Sequence, residues 1–322
     1  MSDNHLIPPA YRTLAHFWLE EVTAQEVSTL RALPELAQTL LALDEQHLTD
    51  LAVEYQRLFG FNLPPYESIF IDPSVMLMTP ATERVAQLYR RGEWQPPAGI
   101  RTGAPDHIGL ELLALADWLD RKQVDPAHQL HTRHLALWGV PFVLTLRRLK
   151  PHPFYASLGD FTLDLLLTTL PETPLPTPDD LFPELPPPPI YRGTDETMLA
   201  DDAADGKTRD GGSPFRRLTK QLLRPRETGL YLTRTDLARL GQTLDLPATV
   251  GDRYAMLDTL FHQAMQYDLL PELLDHLGRL FAEVDLAYRQ LAADYPGWQP
   301  YAHAWCSRLA AAQNELVHEF VA

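Results

Sequence analysis

Apolar residues recur along most of this chain at intervals of three and four, the spacing that places them on one face of an α-helix. The longest stripe starts at Pro271 and continues through Phe281, Val284 and Tyr288 to Leu291. Comparable stripes predict helices over residues 11–26, 30–43, 50–60, 77–92, 108–119, 128–149, 154–170, 236–244, 252–267 and 298–309. No stretch of useful length alternates between apolar and polar residues as a strand would. The sequence therefore predicts an all-α fold.

Residues 103–113 combine a turn, a helix start and three ionisable side chains. Pro105 suits a helix start because its missing N–H would be unpaired there in any case. Asp106 offers a carboxylate to the free backbone N–H groups as an N-cap. His107 and Glu111 are four residues apart on a helix that is apolar nearly all round, so they are neighbours in a buried setting. Either they pair with each other inside a capped helix, or the helix presents them to a ligand.

A second segment, residues 63–70, contains two adjacent prolines that fix an extended backbone. Its apolar residues Tyr66, Ile69 and Phe70 are unusual for a solvated loop. We therefore expect the segment to lie against the helical core. Two interpretations remain open, a packed interhelical loop and a binding segment.

The chain of 322 residues carries a formal net charge of −16. This charge, without a long basic run, argues against binding to nucleic acids or anionic membranes and favours basic partners. The single cysteine, Cys306, excludes an internal disulfide framework and suits the cytoplasm. Residues 1–10 do not resemble a signal peptide, and no apolar run approaches the roughly 20 residues that span a bilayer. We therefore expect a cytoplasmic protein without stable membrane insertion.

Residues 171–213 differ in kind from the rest of the chain. They hold ten acidic and three basic residues, and nine prolines lie between Pro171 and Pro189. Such a composition predicts an exposed, disordered linker. The predicted domains are thus a helical domain over 1–170, this Pro-rich acidic linker over 171–213, and a C-terminal helical extension over 214–322. We expect the extension to dock onto the first domain, the alternative being a separate small bundle.

Sequence motifs for common enzyme chemistry are missing. There is no phosphate-binding loop, dinucleotide fingerprint, nucleophile elbow or His-Glu-x-x-His motif. On one helix His134 would lie about 240° around from His128, so His128, His131 and His134 cannot converge on a metal. We expect no catalytic residue, cofactor or metal. The alternative is a metal-dependent hydrolase that uses Asp106, His107 and Glu111, although it would need further ligands.

Three motifs together resemble the TorD/DmsD/NarJ family of redox-enzyme maturation chaperones. They are Tyr-Gln-Arg-Leu-Phe at 55–59, Pro-Pro-Tyr-Glu-Ser at 64–68, and Pro-Asp-His-Ile-Gly-Leu-Glu-Leu at 105–112. Trp138 and Phe-Tyr-Ala at 154–156 follow in place, and the similarity covers roughly residues 10–170. The family's usual acidic residue before the proline is Ala104 here, which removes one charge from the expected binding face. The linker and the C-terminal extension lie outside the similarity.

The resemblance implies a TorD-like helical bundle and a cytoplasmic, non-enzymatic chaperone. Such chaperones bind the twin-arginine leader, the body, or both, of a molybdopterin-dependent oxidoreductase apoprotein until its cofactor is inserted. A nucleotide-responsive variant has no phosphate loop to support it. The resemblance and the residue chemistry assign leader binding to Tyr66, Glu67, Ser68, Ile69, Phe70, Asp106, His107 and Glu111. Asp106 and Glu111 would bind arginine, and Tyr66, Ile69 and Phe70 would form an apolar floor.

Overall fold

A computed structural model of the chain describes residues 6–20, 22–23, 45–171, 177–185 and 215–321. These residues are helical and contain no strand, which confirms the all-α prediction. The helix predicted over 30–43 lies outside the described residues. None of the helices in the described ranges is long and apolar enough to cross a membrane.

The first part of the chain forms a helical bundle. The helix Ala136–Arg148, which is buried from Ala136 to Leu146, lies at its centre. The helices of the bundle are α1 (Ile7–Leu19), α2 (Glu45–Tyr55), α3 (Glu67–Ile71), α4 (Pro80–Arg91), α5 (Ile108–Asp120), α6 (Val124–Leu130), α7 (Ala136–Arg148) and α8 (Pro153–Thr168). A π-helical turn extends α2 over Gln56–Asn62, and another joins α6 to α7 over His131–Leu135. The single helix expected over 128–149 is therefore interrupted. The helix expected over 11–26 ends early, at Leu19.

The second part adds shorter helices and then two long ones. They are α9 (Pro178–Leu181), α10 (Arg216–Leu222), α11 (Pro225–Thr228), α12 (Arg234–Thr243), α13 (Arg253–Gln266), α14 (Leu270–Asp294) and α15 (Gln299–Val321). A 3₁₀ turn over Pro296–Trp298 connects the last two. The predicted stripe from Pro271 to Leu291 lies on α14, and its inward residues are buried.

Helices α1 and α5 pack against each other at a glycine. A Cβ on Gly109 would lie 2.9 Å from the carbonyl oxygen of Ala15 and 2.5 Å from Leu19 Cγ. Glycine is therefore the residue that fits this contact without displacing a helix. The approach fixes the start of α5, where the motif beginning at Pro105 lies.

The C-terminal extension shares the core of the first part. Three side chains of its last helical segments donate hydrogen bonds to backbone carbonyls around the start of α7. Trp298 Nε1 bonds Ala136 (2.8 Å), the Tyr301 hydroxyl bonds Thr132 (2.6 Å), and Trp305 Nε1 bonds Leu137 (2.9 Å). All three aromatic side chains are fully buried. These contacts are those expected of a docked extension rather than a separate bundle.

Part of the predicted linker is packed. Residues 177–185 are described, and Leu181 and Phe182 within them are buried. The Phe182 ring meets Trp305 edge-on at 4.8 Å, and the Arg308 guanidinium lies 3.4 Å from its centroid on one face. The expectation of an exposed segment is therefore corrected for these residues, because their apolar side chains find a partner surface on α15. Most of the remaining linker, residues 186–213, lies outside the described residues, and the domain boundaries stay a prediction.

Candidate functional site

The two proline-containing motifs meet as an antiparallel bridge between Tyr66 and His107. The Glu67 N–H donates to the Asp106 carbonyl, and the Ile108 N–H donates to the Pro65 carbonyl, both at 3.0 Å. Tyr66 and His107 are the N-cap residues of α3 and α5, and both have extended backbones. The bridge therefore ties two helix starts together, and it brings the predicted binding residues of both motifs into one place.

Asp106 caps the neighbouring helix instead of its own. Its Oδ2 accepts a hydrogen bond from the backbone N–H of Ser68, in the first turn of α3, at 2.7 Å. The N-cap of α5 is His107, whose Nδ1 accepts from the Gly109 N–H at 3.1 Å. The expectation that Asp106 caps α5 is thus wrong, because the bridge turns its side chain towards α3. Burial lowers the pKa of His107 to about 3, which keeps Nδ1 free to accept.

Glu67 is fully buried and has two basic neighbours. Its Oε2 lies 2.7 Å from His134 Nδ1, which is also buried. Its Oε1 lies 3.6 Å from Nη1 of Arg84, the partly exposed member of this group. In the sequence, His134 is considered only as a metal ligand, and nothing in the local pattern points to Arg84. Neither contact has a local signature, since both join separate helices.

Glu111 pairs with α7 rather than with His107. Its Oε2 accepts from Trp138 Nε1 at 3.1 Å, so the internal His107–Glu111 pair does not form. Burial, together with the negative charge of Glu67, raises the pKa of Glu111 well above its ordinary value. Burial also raises the pKa of Asp106, although the hydrogen bond from the Ser68 N–H opposes this. Glu67, Asp106 and Glu111 thus form a carboxylate cluster held in a low-dielectric interior.

Each member of the carboxylate cluster has one oxygen to spare. Glu67 Oε1, Asp106 Oδ1 and Glu111 Oε1 are buried and accept no hydrogen bond. Glu67 Oε1 does have a cationic neighbour, since Arg84 Nη1, which also lacks a hydrogen-bond partner, lies 3.6 Å away. Buried acceptors without donors are uncommon, and each costs free energy until a donor reaches it. The arrangement can accept hydrogen bonds from a cationic donor such as a guanidinium, which carries five N–H groups in a fixed fork.

Tyr66 is the one predicted binding residue that reaches the surface. Its hydroxyl accepts from the Gly103 N–H at 3.0 Å, and its ring meets His107 edge-on at 5.0 Å. The others are buried, namely Glu67, Ser68, Ile69, Phe70, Asp106, His107 and Glu111. Phe70 stacks on Tyr231 of the C-terminal extension at 5.3 Å. Ile69 and Phe70 are therefore core residues in this conformation, whereas Tyr66 forms the outer wall of the cluster.

Metal chemistry finds no support in the geometry. The described ranges contain no group of three His, Cys, Asp or Glu side chains placed to hold one ion. His131 bonds the Leu166 carbonyl at 2.8 Å, while His134 bonds Glu67, so these two histidines have separate partners. The hydrolase alternative, with Asp106, His107 and Glu111 around a metal, is not favoured.

Comparison with known proteins finds a family similar to the motif-bearing region. Residues 24–143 match the family model described as nitrate reductase delta subunit. The match includes both bridged motifs and most of α7. No curated protein matches the chain. Over residues 24–143 the chain is therefore similar to the nitrate reductase delta subunit family, and this match supports the resemblance to the NarJ/TorD-type chaperones.

Proposed function

We propose that this protein is a cytoplasmic chaperone that binds the twin-arginine leader of a molybdopterin-dependent oxidoreductase. It would bind the leader, the enzyme body, or both, and hold the apoprotein until the cofactor is inserted. The family is one of molybdoenzyme maturation chaperones, which supports the class of client. The chemistry of the site supports the twin-arginine leader as the ligand.

The observation that carries the proposal is the spare acceptor on each of three neighbouring carboxyl groups, Glu67, Asp106 and Glu111. A guanidinium would supply the missing donors, and the bonds would be charge-assisted. The pKa of Glu111 is raised chiefly by burial and by the charge of Glu67, so an added cation would also favour its ionised form. The net charge of −16 draws a basic peptide towards the protein.

We place Tyr66 on the path by which an arginine would reach the cluster, because it is the partly exposed residue beside Asp106 and His107. Its hydroxyl is held by one hydrogen bond, from the Gly103 N–H, and its ring is half-buried. Breaking such a bond costs about 1 kcal/mol net, since water replaces the partner. We propose that Tyr66 swings outwards when an arginine enters. The core residues behind it, such as Phe70, stay in place.

Isothermal titration with a synthetic twin-arginine leader peptide tests this proposal through Asp106→Asn. Asparagine keeps an oxygen that accepts from the Ser68 N–H, so the fold should survive, but it removes the charge. Loss of a charged hydrogen bond should weaken binding by about 1.5–3 kcal/mol. Asp275→Asn on the exposed face of α14 is the matched control and should bind like the wild type. If Asp106→Asn binds as tightly as the wild type, the carboxylate cluster is not the leader site.

A further inference from the structure

We propose that residues 75–78, which we name the methionine loop, bind the apolar stretch of the leader that lies beside its arginines. The inference rests on the proposed function and names the surface that the apolar part of the same ligand would use. Met76, Leu77 and Met78 are 60%, 36% and 72% exposed. Ile69 and Phe70, by contrast, are 6% and 1% exposed, so they offer no accessible floor.

The methionine loop is held rigidly by the buried Asp72. Asp72 Oδ1 accepts from both the N–H (2.9 Å) and the hydroxyl (2.6 Å) of Ser74, and Oδ2 accepts from the Ala81 N–H at 3.4 Å. One carboxylate thereby fixes both ends of the loop. A surface that is ordered before binding loses less conformational entropy when a ligand docks.

The backbone of the loop is strained in a way that displays its side chains. Val75 and Met78 have φ values of 55° and 58°, in the left-handed region. This region is costly for a β-branched residue such as valine, and it persists only where surrounding contacts enforce it. The result is that Met76 and Met78 point to solvent, although both are apolar.

The methionine loop is continuous with the outer wall of the carboxylate cluster. A Cβ on Gly103 would lie 3.2 Å from Leu77 Cδ1 and 3.2 Å from the Tyr66 hydroxyl, so the loop and Tyr66 flank the same glycine. Tyr66 in turn lies against His107 and near the charge of Asp106. An apolar surface thus adjoins a site whose carboxyl groups have acceptor oxygens without hydrogen bonds.

The position of the methionine loop beside the carboxylate cluster indicates which peptide fits both surfaces. A segment that places a cation in the cluster carries its neighbouring residues over Tyr66 and onto the methionine loop. The charge of the cluster selects a basic residue, and the loop selects an apolar stretch beside it. Methionine suits such a role, since its flexible, polarizable side chain adapts to apolar sequences of different shape.

The test is titration of the double variant Met76→Gln/Met78→Gln with the same twin-arginine leader peptide. Glutamine keeps the length of each side chain and removes its apolar end. Binding should weaken about tenfold, because the apolar contact is lost. Its salt dependence should stay unchanged, since the arginine contacts remain. Met265→Gln, at a methionine that is 49% exposed on α13, is the matched control and should bind like the wild type.

The outcomes separate this inference from the proposed function. If the wild type binds the peptide and the double variant binds equally well, the methionine loop is not the apolar surface, although leader binding stands. If the wild type does not bind the peptide at all, this inference and the proposal that the carboxylate cluster binds the leader both fall. Sedimentation of the two proteins without peptide gives the third outcome. A wild-type dimer that the double variant dissociates would assign the loop to self-association and overturn the inference.

Discussion

Trp305 donates its indole N–H to the carbonyl of Leu137, which is the backbone carbonyl that Pro141 leaves without a helical donor. In an α-helix that carbonyl would accept from the N–H four residues later, and proline has none. A side chain of the C-terminal extension therefore satisfies a defect in the central helix of the first part.

A double-mutant cycle tests this relationship. Trp305→Phe should lower the free energy of unfolding by about 1–3 kcal/mol through the unsatisfied buried carbonyl alone. In a Pro141→Ala background the new N–H can bond Leu137, so Trp305→Phe should cost measurably less. Urea denaturation of the four proteins gives the coupling energy.

Trp298→Phe is the control for that cycle. Trp298 bonds the carbonyl of Ala136, whose helical donor at Val140 is present. Trp298→Phe should therefore lower the free energy of unfolding by the same amount in the wild-type and the Pro141→Ala backgrounds. Equal costs for Trp305→Phe in both backgrounds would contradict the role assigned to Pro141.

Docking of the extension makes a prediction about cleavage. A specific protease site placed between residues 195 and 210 would cut the chain between the first part and the extension. The fragments should elute together on gel filtration without denaturant, because Trp298, Tyr301 and Trp305 are buried between them. Elution of two free fragments would mean that the parts are independent.

The sequence predicts the helices well because their signals are local. The stripe from Pro271 to Leu291 and the prolines that open α4 and α8 need only neighbouring residues. The site could not be predicted in the same way. Asp106 accepts a hydrogen bond from Ser68, which is 38 residues away in the sequence. The preference of aspartate for N-cap positions predicts instead that Asp106 caps α5. Phe70 packs against Trp138 and Phe142 and also against Tyr231, which lies outside the three family motifs.

The raised pKa of Glu111 predicts a pH dependence of stability. A carboxyl whose pKa is higher in the folded protein than in the unfolded chain binds its proton more tightly when folded. Its contribution to stability is therefore lost as pH rises from its ordinary pKa of about 4.3 through the raised value. Glu111→Gln cannot titrate, yet it keeps an oxygen for Trp138. The thermal midpoint of this variant should fall less than that of the wild type as pH rises through this window. If the two midpoints fall in parallel, ionisation of the buried Glu111 does not cause the loss of stability.

His107 predicts the opposite sign at lower pH. Burial lowers its pKa to about 3, so the unfolded chain binds the proton more readily. Stability should therefore fall as pH drops from about 6.5, the ordinary histidine value, towards 3. His107→Asn keeps a side-chain acceptor for the Gly109 N–H and should lose less stability over this range. His131, whose pKa burial lowers to about 4, remains as a titrating residue in both proteins.

Leader binding by the carboxylate cluster should depend on the arginines of the peptide. A synthetic twin-arginine leader from a molybdopterin-dependent oxidoreductase would be titrated into the wild-type protein, beside the same peptide with both arginines replaced by glutamine. The arginine peptide should bind at least about tenfold more tightly, with an advantage that shrinks as salt rises. Equal affinity for the two peptides at low salt would mean that the carboxylate cluster does not bind the leader's arginines.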